Sequence, residues 1–227
     1  MLSSYLTIRK LIGTLGILLP ILVYVGHGEL LSSISHYYYT KSAVFFIAIL
    51  TCFGLFLISY KGYEKAENEW LSDDIITRIG GFCALLVVLL PTTCFEDDCG
   101  QLSDIDLSNG YLFGHANKFV GIIHLVSAGI FLIAMGWMSI NRFTKGSHKL
   151  KNKFYKFCGY TVWASIGILI VLFALDALLD NFSLPTYSVY IFETIAVTAF
   201  GSSWLVKGKA IEDVIELKNK MFNTVKK

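Results

Sequence analysis

Apolar and polar positions alternate along this chain in long blocks, not in short amphipathic periods. Six apolar runs, at about 9–26, 42–60, 78–95, 117–140, 157–179 and 187–206, are separated by polar stretches. Each approaches the roughly 20 residues an α-helix needs to cross a hydrocarbon core of about 30 Å. Backbone in lipid must satisfy its hydrogen bonds internally, so continuous runs of this length predict helices. The strands of a membrane barrel would be shorter and would alternate in polarity. The expected fold is an all-α polytopic bundle of six transmembrane helices over 1–209. The tail over 210–227 reads as an amphipathic helix, with Ile211, Val214, Ile215 and Leu217 on one side, or as disordered chain. The first run follows Arg9 and Lys10, as a signal peptide would. It is long, and no small-x-small cleavage site follows it, so it reads as a span.

Composition supports the membrane class. Hydrophobic residues make up 55% of the 227 and charged residues only 16%, against about 25% charged in average soluble domains. Net charge is +2, which by itself decides nothing, but its distribution does. With the N-terminus in the cytoplasm and six spans, 17 of the 19 lysines and arginines fall on the cytoplasmic side; Lys41 and Lys118 are the two exceptions. Such a bias predicts an N-in, C-in topology in a plasma membrane, here a bacterial inner membrane. The basic stretch KGSHKLKNK follows from that rule, and nothing in the chain points to nucleic acid.

Orientation allows depths to be compared. His124, Asp176 and Glu193 lie inside predicted spans. His124 is roughly 10 Å below the outer end of its helix, Glu193 about 9 Å below, and Asp176 about one turn below. The inner halves of the spans carry no comparable groups. Ionisable side chains at such depth are costly, so they should face the bundle interior or water. Gly121, Ser127 and Ala128 share a face with His124 and admit a close neighbour. The linker GELLSSISHYYYT, residues 28–40, joins the outer ends of the first two spans. Its Glu29, Ser32, Ser35, His36 and Tyr38 can roof an outward-facing polar cavity.

The residues leave several readings open. The polar groups can lock helix packing while the tyrosines form an interfacial belt. They can bind a membrane lipid headgroup or a small polar ligand, which is the preferred reading, with no cofactor and no turnover. Or His36, His124 and Glu193 can hold zinc and activate water, as an intramembrane hydrolase of a lipid amide or ester would require. Cys94 and Cys99, in the acidic loop CFEDDCGQLSDIDLSNGYLFGHANK, can close a disulfide on the oxidising side or remain free thiols. Cys52, Cys83 and Cys158 read as small core residues. Oligomeric state is open.

Two resemblances add to this. Ser32-x-x-x-His36, with Glu29 upstream, resembles the Ser-x-x-x-His element of the ceramidase and progestin/adipoQ-type membrane zinc hydrolases. That resemblance implies a zinc site, although the His-x-x-x-His pair of that family has no counterpart here. The run of SISHYYYT, FGLFLISYKGYE, GGFCALLVVLLPT and ETIAVTAFGSSWLVKG is similar to an uncharacterised bacterial six-helix membrane family, loosely of the Frag/DRAM/Sfk type. That resemblance implies a six-span topology and a regulatory or lipid-associated role, and it supplies no catalytic residue.

Overall fold

The computed structural model describes residues 2–61, 72–94, 117–210 and 212. These residues are helical with connecting loops, and no strand occurs among them. The six main helices are α1 (Leu2–His27), α2 (Ala43–Ser59), α3 (Asp73–Leu89), α4 (Lys118–Trp137), α5 (Lys149–Leu178) and α6 (Ser188–Lys207). Four of them, α1, α4, α5 and α6, are long and apolar enough to cross a membrane. The other two, α2 and α3, have 17 residues each, the lower end of what a span requires.

Local chemistry sets the boundaries. Ser72 caps α3, its side chain accepting from the Ile75 N–H, and Asp73 and Asp74 follow in the first turn. Acids there suit the positive end of the helix dipole, which starts α3 five residues before its apolar run. Leu90 is extended, as the residue before a proline tends to be, so the helix stops ahead of Pro91. Asn117 caps α4 by accepting from both Phe119 and Val120 N–H. At its other end α4 continues through a π turn, Met138–Arg142, and a short 3-10 turn, Phe143–Lys145. In α5 the basic stretch from Lys149 joins the helix, so it reaches 30 residues.

Each helix packs on the next in chain order, and α6 closes the ring on α1. Glycines bring the closing pair together: a Cβ on Gly13 would lie 2.7 Å from the Gly201 carbonyl oxygen, and one on Gly201 would lie 2.6 Å from that of Gly13. A matching approach joins α2 to α3, where a Cβ on Gly81 would lie 2.7 Å from the Gly54 carbonyl oxygen. Small residues that let backbones meet are the usual device where lipid removes the hydrophobic drive between helices. The centre is aromatic. Phe53, Phe131, Phe200 and Trp204 are buried and in mutual ring contact, an arrangement that adds to their burial energy.

The helices run up and down. One end of the bundle gathers His27, the 28–40 linker, Thr92 and Thr93, Asn117 and Tyr190. The other gathers Arg9, Tyr60, Asp73, Arg142, Tyr155 and Lys207. Lys10 lies against Gly208, so the start of α1 and the end of α6 share one end. Lys151 and Glu212 form an ion pair at that same end. The amphipathic tail beyond it, and Cys99, lie outside the described residues. Cys94 is disulfide-bonded, while Cys52, Cys83 and Cys158 are free thiols.

Candidate functional site

The linker between α1 and α2 turns back into the bundle. Gly28, at φ +97°, makes the exit from α1, a conformation that costs a glycine little. Residues Ile34–Tyr39 then form a 3-10 helix, capped by Ser33, whose side chain accepts from the Ser35 N–H. Five of its six residues are buried, so the ISHYYY stretch, read from the sequence as the roof of a polar cavity, is an internal element.

Its polar groups explain that burial, because most of them find a partner within the linker or on a surrounding helix or loop. Glu193 of α6 reaches under the turn, where its Oε2 accepts from the Ser33 hydroxyl at 3.0 Å and from the Ile34 N–H at 2.8 Å. The Tyr190 N–H donates to the Ser32 carbonyl at 2.8 Å. From α4, His124 Nε2 lies 2.9 Å from Ser35 Oγ, and its Nδ1 lies 2.7 Å from the Leu90 carbonyl oxygen. A carbonyl can only accept, so Nδ1 carries a hydrogen. In the neutral ring Nε2 is then an acceptor, and the Ser35 hydroxyl donates to it. His36 follows the same pattern, with Nε2 at 3.3 Å from the Thr93 carbonyl oxygen and Nδ1 at 2.7 Å from Ser32 Oγ. The Tyr39 hydroxyl donates to the Thr92 carbonyl oxygen at 2.5 Å. Tyr37 donates to the Glu29 carbonyl oxygen and accepts from the Leu31 N–H, and burial pushes its phenol up to about 12. Gly121 lets this end close, since a Cβ there would meet Thr93 at 2.5 Å.

Below the turn is a cavity of about 40 Å³, partly open. It is lined by Ile34 and Ser35 from the turn, Glu193 and Val197 from α6, and apolar side chains of α1, α2, α3 and α4, including Phe46 and Phe131. Glu193 Oε1 has no hydrogen-bond partner among the described residues.

The structure therefore brings together Ser35, His124 and Glu193 with Ile34 and Ser33, and separates the other candidates from them. Ser32 and His36 face the Thr93 segment that follows α3 and do not line the cavity. The Glu29 side chain is exposed, and only its carbonyl takes part. Tyr38 is buried against Tyr39 and Phe46. Asp176 is exposed and accepts from the Leu184 N–H at 2.8 Å. It stabilises the α5–α6 loop and does not line the cavity. His36, His124 and Glu193 do not converge, and among the described residues no three His, Cys, Asp or Glu side chains form a metal-binding group. Both ring nitrogens of His36 and of His124 are already engaged.

A second polar cluster lies at the opposite end, built from residues at the edges of the apolar runs and just outside them. Arg142, on the π turn, forms an ion pair with Asp73 of α3, and their side chains are 2% and 0% exposed. Arg9 donates to the Tyr60 hydroxyl at 2.9 Å and lies over the Tyr5 ring. The lysine-and-arginine tally placed Arg142 in a loop, and only the Ser72-Asp73-Asp74 cap hinted that α3 began so early.

No family model matches this chain, and no curated protein or solved structure matches it.

Proposed function

We propose that the chain is an integral protein of the plasma membrane, with six spans and both termini cytoplasmic, and that the outer half of its bundle binds a lipid headgroup or small polar ligand without turning it over. The topology rests on the charge bias together with the shared end of α1 and α6. Placing that end in the cytoplasm puts Arg9, Arg142 and Lys207 inside and the 28–40 linker outside.

The observation that carries the binding reading is Glu193. A carboxyl group at membrane depth is expensive. This one is fixed by two donors on one oxygen, while its other oxygen has no partner and its side chain borders a cavity. A carboxylate retained only for packing would be expected to use both oxygens within the protein. The small volume suits a head group or small solute, with any lipid tail left outside.

Mass spectrometry of the purified protein tests the proposal. Co-purifying lipid or solute that is lost on Glu193→Leu supports it, and a protein that retains and takes up nothing refutes it. For the topology, a reporter fused at the C-terminus is expected to be accessible only from the cytoplasmic side.

A further inference from the structure

The hydrogen-bond directions around the cavity narrow its ligand, an inference that rests on the binding reading above. The Ser35 N–H is spent on Ser33 Oγ, and the Ser33 hydroxyl is spent on Glu193 Oε2. The Ile34 N–H goes to the same carboxylate oxygen. With His124 Nδ1 donating to the Leu90 carbonyl, the Ser35 hydroxyl is spent on Nε2. Each of these donors is thus turned into the protein. The polar groups in the cavity wall are Ser35 and Glu193, and what they have left to offer is a hydroxyl lone pair and Oε1. Among the described residues no lysine, arginine or histidine lines the cavity, while Phe46 and Phe131 do.

A wall that shows acceptors, one carboxylate and aromatic rings selects a cation with N–H donors. We infer that the cavity takes an ammonium group, the head of a primary or methylated amine, with Glu193 as its counter-ion and Ser35 as a second acceptor. Hydrogen bonds from a charged donor to a carboxylate are roughly twice as strong as neutral ones, and aromatic rings attract a desolvated cation. At about 10–15 Å³ for each water-sized group, 40 Å³ admits an aminomethyl head and excludes a whole lipid. Two sources share this chemistry: a free amine, and the headgroup of phosphatidylethanolamine.

Equilibrium dialysis of the full-length protein in detergent with labelled methylammonium, against methanol as the neutral match in size, tests the inference. Methylammonium is expected to bind about tenfold or more tightly than methanol. Glu193→Gln, which keeps an acceptor for Ser33 and Ile34, should weaken it about tenfold. Phe131→Leu should weaken it severalfold with the carboxylate intact. In nanodiscs of phosphatidylglycerol doped with phosphatidylethanolamine, preferential retention of the ethanolamine lipid in native mass spectra identifies a lipid source. Methylammonium binding without that preference identifies a free amine. Equal binding of methylammonium and methanol, or unchanged binding in Glu193→Gln, overturns the ammonium assignment. In that case a different co-purifying ligand leaves the binding reading standing, and the lack of any ligand removes both.

Discussion

The Arg142–Asp73 pair makes the sharpest demand on stability. Its two side chains are almost wholly excluded from solvent, so neither charge can turn to water when the other is removed. Arg142→Met leaves a carboxylate in the interior, and breaking a buried pair in this way costs about 3–5 kcal/mol. Asp73 sits in the first turn of α3, where the helix dipole offsets about 1 kcal/mol of that. The expected net loss is then about 2–4 kcal/mol, by difference of those two ranges. Asp73→Leu strands the guanidinium instead, close to the Trp137 ring at 5.0 Å, and should cost a similar amount. The double variant, Asp73→Leu with Arg142→Met, removes both charges and should recover most of the loss, because well-packed apolar replacements of buried pairs are often neutral or better. Denaturant unfolding of the four proteins in mixed micelles gives the coupling energy directly. A single variant costing less than about 1 kcal/mol, or a double variant no better than the worse single, would refute the view that this pair is desolvated and mutually dependent.

Other outcomes follow from specific contacts. Ser35→Ala removes the donor to His124 Nε2 and should cost about 1–3 kcal/mol, read by the same unfolding assay; a change below a few tenths would show that the contact is not made. Gly201→Ala pushes a methyl group into the Gly13 carbonyl and should destabilise by about 1–3 kcal/mol. Gly129→Ala, where a Cβ meets open space, should stabilise α4 by up to about 1 kcal/mol in the same assay; the opposite order would contradict the ring packing. The raised Tyr37 phenol favours the folded state while neutral, so its contribution is complete below its ordinary value near 10 and is lost as pH rises toward about 12. Proteolysis of the 28–40 linker between pH 10 and 12 should increase in the wild type, and Tyr37→Phe should reduce that increase.

The helices were legible because lipid imposes length and continuity on an apolar run, and α2, α4 and α6 begin and end within a few residues of the expected positions. Their boundaries shifted where polar residues joined a helix: the capped Ser72-Asp73-Asp74 start of α3 and the lysine-rich start of α5 both lie outside any apolar run. The depth argument found His124 and Glu193, since rise per residue places both near one end. It failed for Asp176, because depth says nothing about which side of a helix a residue occupies. The role of Ser33 and the Ile34 N–H was not readable at all. It depends on the linker folding inward as a 3-10 turn, and hydropathy treats a serine- and tyrosine-rich stretch as surface.

Ring closure between α1 and α6 also sets a timetable for biogenesis. Gly201 follows Gly13 by 188 residues, so at roughly 5–20 residues per second the first helix waits on the order of 10–40 s for the surface that covers it. Glu193 and Tyr190, which anchor the linker, arrive in the same late segment. Until they emerge from the ribosome the glycine-lined flank of α1 lacks its partner, and a chain stopped before residue 188 would hold the linker through Thr92, Thr93 and His124 but without Glu193 and Tyr190.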